Sequence, residues 1–544
     1  MSGTRKIPHI DESEVTPLVS ELLNIIREQA REIDKLKDEI AKLKGIKPKP
    51  NIKASNLDKN TEEKGPTNGK RPGSAKRSKK LEIDEEVVIL PKEIPVGAKF
   101  KGYAEFIVQD IEIRTHNTRY KLARYETPDG TYVTGELPPE IEGHFGAKLR
   151  SLILYQHHHC HVTQPLLKEQ LREWGIDISA GQLNAILTEG HESFHQEKRE
   201  ILETGLRISS YVNVDDTGAR HQGKNGVCTH IGNDLFAWFE STSSKSRTNF
   251  LALLCAGKVG YFINDISLKY IRGGYGLFKA SEALEKNGFE KLFETENEWQ
   301  ELLDRCGVKG VEARKAITEG AILGFLTHTG IKSDLVILSD DAPQFDVFLH
   351  ALCWVHAERH VHRLIPNNDL ERAAVQKKRD EIWDFYRMLR EYRLSPDPQK
   401  VSELDDKFDQ IFKEAKTCCK ALNEVLGRTL KNKKELLRVL KRPEIPLHNN
   451  ASETDIREYA KRRKIQGGTR SNEGRASRDT FTSLKKTCRK MKVSFWCYLN
   501  DRVSHRNQIP RLPVLMSEKA KNSAPLAMPP RVGTWNQVAA ASTY

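Results

Sequence analysis

The chain has 544 residues, 38% of them hydrophobic and 30% charged, with a net charge of +13. That length exceeds one ordinary domain, so roughly three to five structural units are expected. No apolar run approaches the roughly 18–20 residues that a bilayer span needs, the Met1–Lys6 start lacks an apolar signal stretch, and nine cysteines without a C-x-x-C pair fit reduced thiols, so a cytoplasmic protein with no membrane partner is expected.

The first predicted element is a coiled coil over 12–44. Val15, Val19, Leu22, Ile26, Gln29, Ile33, Leu36, Ile40 and Leu43 recur at spacings of four and three, flanked by Glu32, Lys35 and Lys37. This heptad seam predicts self-association, with an amphipathic helix packed on the chain's own body as the alternative. Residues 45–80 follow as a basic linker rich in Lys, Pro, Gly, Asn and Ser, predicted to be disordered. Between 81 and 140 the runs 87–90, 106–108, 111–113 and 120–122 read as strands of a small β unit, and Pro128-Asp129-Gly130 reads as a hairpin turn.

Residues 141–206 are expected to hold a helix-turn-helix DNA-binding domain. Gln164-Pro165 opens one helix, Gly175 marks the turn, and Ser179 caps a second helix running to about Leu187. The run from His157 to His161 contains four histidines and Cys160, but adjacent residues on a helix point apart, which argues against a shared metal ion.

Charge supports a polyanion partner. Residues 44–80 hold twelve Lys/Arg against three Asp/Glu, and 457–492 hold thirteen against three. These surpluses of nine and ten exceed the net +13, so the remaining residues together carry about −6. The second stretch offers Arg457, Lys461, Arg462, Arg463, Lys464, Arg470, Arg475 and Arg478 as DNA-phosphate contacts.

Within 207–505, two apolar strands finish on acids. One, 208–214, leads to Asp215-Asp216; the other, 335–338, leads through Ser339 to Asp340-Asp341. A strand ending on an acid presents that carboxylate at the sheet's end, although turns also favour aspartate there. A third acid, Glu453, opens a basic helix. Asn450 and Glu453 stand three apart, so a capping box explains Glu453 as readily as a ligand role does. Cys353, His356, His360 and His362 form a competing constellation, since three of them share helical spacing suited to zinc.

Taken in order, Val214-Asp215-Asp216-Thr217-Gly218, Leu338-Ser339-Asp340 with Cys353-Trp354-Val355-His356, and His448-Asn449-Asn450-Ala451-Ser452-Glu453 resemble the D-E-T, S-D…C-W-x-H and N-N-x-x-E signatures of transposases of insertion-sequence family 66. The likeness spans roughly 140–505. It implies an α/β fold with a ribonuclease-H-like catalytic core at 207–505, a helical insertion at about 360–445, a helical C-terminal part, and a flexible tail at 506–544. It also implies that Asp215, Asp340 and Glu453 are a metal-binding catalytic triad working with two Mg²⁺ or Mn²⁺ ions, with Asp216, Cys353, Trp354, His356, Asn449 and Asn450 alongside. Double-stranded DNA, a homo-oligomer through the coiled coil and small accessory proteins of the element are the implied partners. The sequence departs from the family in having no cysteine at 44–159, where a zinc-ribbon-like segment is usual, and in placing Asp216 and Thr454 where Glu and Arg are common. An alternative within the same likeness is a catalytically silent DNA-binding regulator.

Overall fold

The computed structural model describes residues 83–138, 141, 143–413 and 417–522, together with residue 29. The expected coiled coil (apart from residue 29, which is helical) and the basic linker lie outside the described residues. The chain divides into two units, residues 1–114 and 115–544.

In the first unit, residues 83–114 carry no helix or strand, and the apolar runs expected there as strands are exposed, Ile89 at 85% and Phe106 at 90%. The small β unit therefore reduces to one hairpin in the second unit, β1 (Arg124–Glu126) paired with β2 (Tyr132–Thr134). Its turn is the predicted Pro128-Asp129-Gly130: the Thr127 amide donates to the Thr131 carbonyl at 2.8 Å, and Gly130 takes φ +81°. The other runs lack what a sheet requires, namely three or more strands sharing one buried face.

Four helices follow: α1 (Ala147–His158), α2 (Gln164–Glu173), α3 (Ala180–Thr188) and α4 (Glu192–Ile208). Pro165 sits in the first turn of α2, where its missing amide costs nothing. Gly175 reverses the chain at φ +76°, and Ser179 and Gln182 form a reciprocal capping box on α3. Leu167, Leu171, Ile178, Leu183 and Leu187 are the buried stripe of this corner.

The central sheet has the order β5-β4-β3-β8-β9. Strands β3 (Tyr211–His221), β4 (Lys224–Gly232) and β5 (Ala237–Thr242) form an antiparallel meander, and β8 (Val336–Ser339) and β9 (Leu349–Leu352) add in parallel beside β3. Between them the chain makes α5 (Arg247–Leu254), the short pair β6 (Tyr261–Phe262) and β7 (Leu292–Phe293), and helices α6 (Asp265–Tyr275), α7 (Phe278–Gly288), α8 (Glu296–Arg305) and α9 (Val311–His328). All four residues of β8 are buried, as expected of a parallel strand enclosed by neighbours.

After β9 come α10 (Trp354–His362) and the helices α11 (Asp369–Leu394), α12 (Lys400–Phe412), α13 (Lys420–Lys431) and α14 (Lys433–Leu436). This is the expected insertion. Trp354 roots it to the sheet: its indole donates to the Leu436 carbonyl at 3.0 Å, and its ring lies 5.4 Å from Phe385 and 6.1 Å from Phe408.

The chain then forms α15 (Asn450–Gln466), α16 (Asn472–Lys490), α17 (Phe495–Val503) and α18 (Leu512–Asn522). α16 lies along the edge strand β5. Asp479, Ser483 and Thr487 accept the amides of Ser241, Phe239 and Ala237 at 2.8, 2.9 and 3.2 Å. α18 corrects part of the expected tail, because Leu512 and Met516 are fully buried against the core. Among the described residues no helix is long and apolar enough to cross a membrane.

Candidate functional site

β3 does not stop at Asp215, as its apolar run predicts, but continues to His221 because β4 pairs with it along the way. Its parallel pairing with β8 is registered Tyr211 to Val336, Val212 to Ile337 and Asn213 to Leu338. Two residues further on each strand stand Asp215 and Asp340, so the register sets these acids side by side where β8 ends. On its other flank Asp215 pairs with His230 of β4. Burial pushes the Asp215 carboxyl up to about 7, and the charges of Asp340, Glu453 and Asp216 add to that, against the pull of the Asp216 amide donating to its Oδ1 at 2.8 Å.

Asp216 is engaged elsewhere. Thr229 donates to one oxygen at 2.6 Å and Gln344 to the other at 2.9 Å. Asp340 accepts the Ala342 amide at 3.2 Å, and Asp341 accepts from Asn432 at 3.2 Å.

The capping-box explanation of Glu453 does not match the helix. The N-cap of α15 is Asn449 and makes no side-chain cap bond, so Glu453 lies beyond the capping-box position. Its carboxylate, 18% exposed, instead meets His356 Nε2 at 3.5 Å, Arg359 at 3.7 Å and Arg457 at 3.3 Å. Glu453 Oε1 is buried without a hydrogen bond. Burial, with Arg359 beside it, holds the His356 imidazole below its ordinary range.

Asn449 ties the start of α15 to the sheet. Its side chain donates to the Val214 carbonyl at 2.8 Å and accepts from Asn213 at 2.7 Å, while its amide donates to Cys353 Sγ at 3.2 Å. The half-buried Asn450 uses its amide toward His448 Nδ1 at 3.4 Å. The Cys353 thiol is fully enclosed and pushed up to about 11, chiefly by burial. A neutral thiol already receiving an amide is a poor start for a zinc ligand.

The residues missed in the sequence form the support beneath this site. His230 Nδ1 shares a 2.6 Å hydrogen bond with Ser452, and His230 Nε2 lies 3.4 Å from Asp455. Asp455 also meets Lys490 at 2.9 Å and Lys486 at 3.3 Å, and Glu458 meets Lys486 at 2.7 Å. Lys486 and Lys490 of this basic stretch are thus paired internally. A legible sign was Asn213, a polar residue inside the apolar strand Val212-Asn213-Val214.

The eight basic candidates separate by burial. Arg457, Lys461, Lys464 and Arg470 are exposed, Arg475 is half-buried, and Arg463 bonds the Gly218 carbonyl. Arg462 and Arg478 are corrections. Arg462, 2% exposed, donates to His158 at 2.8 Å and to Gln466 at 2.7 Å, and Arg478, 8% exposed, donates to the Gly467 carbonyl at 2.8 Å. Buried guanidinium groups committed in this way cannot reach a phosphate.

Among the described residues no three His, Cys, Asp or Glu side chains form a ready-made metal cage. The donors nevertheless fit a hard divalent cation in kind. They are carboxylate oxygens, burial and then their neighbouring charges raise Asp215, and one buried oxygen of Glu453 lacks a hydrogen bond.

Comparison with known proteins bears on the same segment. The family described as Transposase IS66 family matches residues 343–477, which include Cys353, His356, Asn449 and Glu453. A protein of Sinorhizobium fredii (strain NBRC 101917 / NGR234), named uncharacterized protein y4jO, is 40% identical over 326 residues, covering 59% of this chain and 100% of that protein. With the motifs in order and this match on the segment that carries Glu453, the chain belongs to the IS66 family of transposases.

Proposed function

We propose that this chain is an active transposase that binds the ends of its element and catalyses divalent-metal-dependent DNA strand cleavage and strand transfer. The observation that supports the reading most is the β3–β8 register, which sets Asp215 beside Asp340, with the charge of Glu453 on α15 adding, as Asp340's does, to the burial that raises Asp215. The meander followed by two parallel strands, in the order β5-β4-β3-β8-β9, supports a ribonuclease-H-like core.

In this reading Asp215, Asp340 and Glu453 hold two Mg²⁺ or Mn²⁺ ions. Bound there, the ions supply charge neutralisation at phosphorus and activation of the attacking and leaving oxygens. Asn449 fixes the approach of α15 to β3, so that Glu453 faces Asp215. His356 and Arg359, 3.5 and 3.7 Å away, aim the Glu453 carboxylate. Water attacks phosphorus, the P–O3′ bond breaks, and a 3′-hydroxyl is released; that hydroxyl then attacks a target phosphodiester. Each step hydrolyses or exchanges one phosphodiester bond, so no nucleotide fuel is needed.

Double-stranded DNA is read in part by α2 and α3 as a helix-turn-helix. Arg457, Lys461, Lys464 and Arg470, running on from Glu453, hold its phosphates. A homo-oligomer through residues 12–44, a nucleoid location and small accessory proteins of the element complete the proposal.

The test is Mg²⁺- or Mn²⁺-dependent cleavage of DNA carrying the element ends, comparing wild type with Asp340→Ala and Glu453→Ala. Cutting by wild type alone supports the proposal. Cutting that survives Glu453→Ala moves the third acid elsewhere, and salt-sensitive binding without cutting by any form favours the silent regulator.

A further inference from the structure

We propose that the helical insertion supplies a DNA-backbone contact to the acidic site, centred on Arg428 of α13; this rests on the transposase reading above. A cavity of about 80 Å³ lies between the insertion and the core, lined among others by Asp341, His356, His360, Arg428, Thr429 and Asn432. Two of its lining residues neighbour the acids Glu453 and Asp340. His356, on its wall, stands 3.5 Å from Glu453, and Asp341 follows Asp340 in the chain.

Size decides what the cavity admits. An apolar cavity of about 150 Å³ takes one benzene ring, and a water molecule's share of the liquid is about 30 Å³. A space near 80 Å³ is smaller than a ring requires and suits phosphate oxygens with their water.

Charge decides the sign of the occupant. Arg428 is exposed and has no hydrogen bond or ion pair among the described residues. A carboxylate, Asp341, lines the same cavity, yet it accepts from Asn432. Lys431, three residues along α13 and exposed, shares its side of the helix, and α10 adds exposed His360, with exposed Arg363 just past its end. Arginine's planar fork matches phosphate oxygens. A phosphodiester brought to Asp215, Asp340, Asp341 and Glu453 meets repulsion from all four. Arg457 and Lys461 offset it on the α15 side, and Arg428 with Lys431 offsets it on the insertion side.

The test uses the full chain and a fluorescent duplex carrying the element end, with affinity measured across a salt series. Arg428→Ala is expected to weaken binding and to lower the slope of log K against log salt by about one. Arg428→Lys should restore the slope but only part of the affinity. Lys407→Ala, an equal change of charge at an exposed position of α12 outside the cavity, should match wild type. A wild-type slope in Arg428→Ala overturns the contact while leaving the transposase reading intact. Wild-type protein without salt-dependent DNA binding overturns both.

Discussion

Replacing His158 with glutamine should remove about 2 kcal/mol of acid sensitivity from the helical layer that carries α1–α4. His158 is fully enclosed, accepts a hydrogen bond from Arg462 at Nδ1, and lies 4.2 Å, centroid to centroid, from the Phe481 ring. Burial, then the nearby charge of Arg462, holds its pKa well below the ordinary 6.5. The unfolded chain therefore takes up a proton here as pH falls through about 6.5, while the folded chain does not. The folded pKa is depressed, so the stabilisation is present above about pH 6.5 and is lost as pH falls toward the folded value. At pH 5 the solution is about 1.5 units below the unfolded imidazole's pKa, and at about 1.36 kcal/mol per unit this loss is about 2 kcal/mol. Glutamine keeps an acceptor for Arg462 and binds no proton. Urea unfolding of wild type and His158→Gln at pH 7.5 and pH 5, at fixed salt, reads the difference. The opposing contributions of Asp215 and Asp479, both raised by burial, cancel between the two proteins. Parallel pH profiles, agreeing within about 0.5 kcal/mol, would refute the buried neutral imidazole.

Three further outcomes test separate links. Asn449→Ala leaves the Asn213 side chain and the Val214 carbonyl unpartnered in the core, each at about 1–3 kcal/mol; strand-cleavage rate should fall far more than DNA affinity, and equal losses would mean that Asn449 does not position Glu453. Arg462→Met should lower the melting temperature without changing the salt slope of DNA binding, whereas Lys461→Ala should lower that slope by about one; the reverse pattern contradicts the burial assignment. Trp354→Ala should cost about 3–5 kcal/mol and expose the segment between 363 and 448 to limited proteolysis, and unchanged protease resistance would show that the insertion is held by other contacts.

The parts of the fold that follow from local chemistry were readable in the sequence. Pro165, Gly175 and Ser179 each act within a few residues of themselves, and the α2–α3 corner forms as their pattern predicts. The apolar β8 with Asp340 behind it was likewise legible, because a fully buried strand announces itself by composition. What the sequence could not display is pairing between distant segments. The length of β3 depends on β4, whereas its apolar run alone ends at Asp215, several residues early. The capping spacing at Asn450 and Glu453 is a local pattern overruled by nonlocal bonds from Asn449 to Asn213 and Val214. Charge density also misled at Arg462 and Arg478. A basic run announces its net charge but not which side chains turn inward, and here Asp455 and Glu458 on α15 draw the lysines of α16 inside.

The contact of α16 with β5 behaves as a vernier. Four residues of helix advance about 6.0 Å, and two residues of strand advance about 6.6–6.8 Å. The two rulers drift by about 0.7 Å at every shared mark. Three marks coincide well enough to bond, at 2.8, 2.9 and 3.2 Å, with the longer reach of Asp479 at one end and short side chains at the others. A fourth would fall out of reach. β5 has six residues and presents three outward amides to α16, at Ala237, Phe239 and Ser241, so the strand is as long as a straight helix can cover. An insertion lengthening β5 by two residues would leave one amide bare, and a bare edge invites the strand of another molecule.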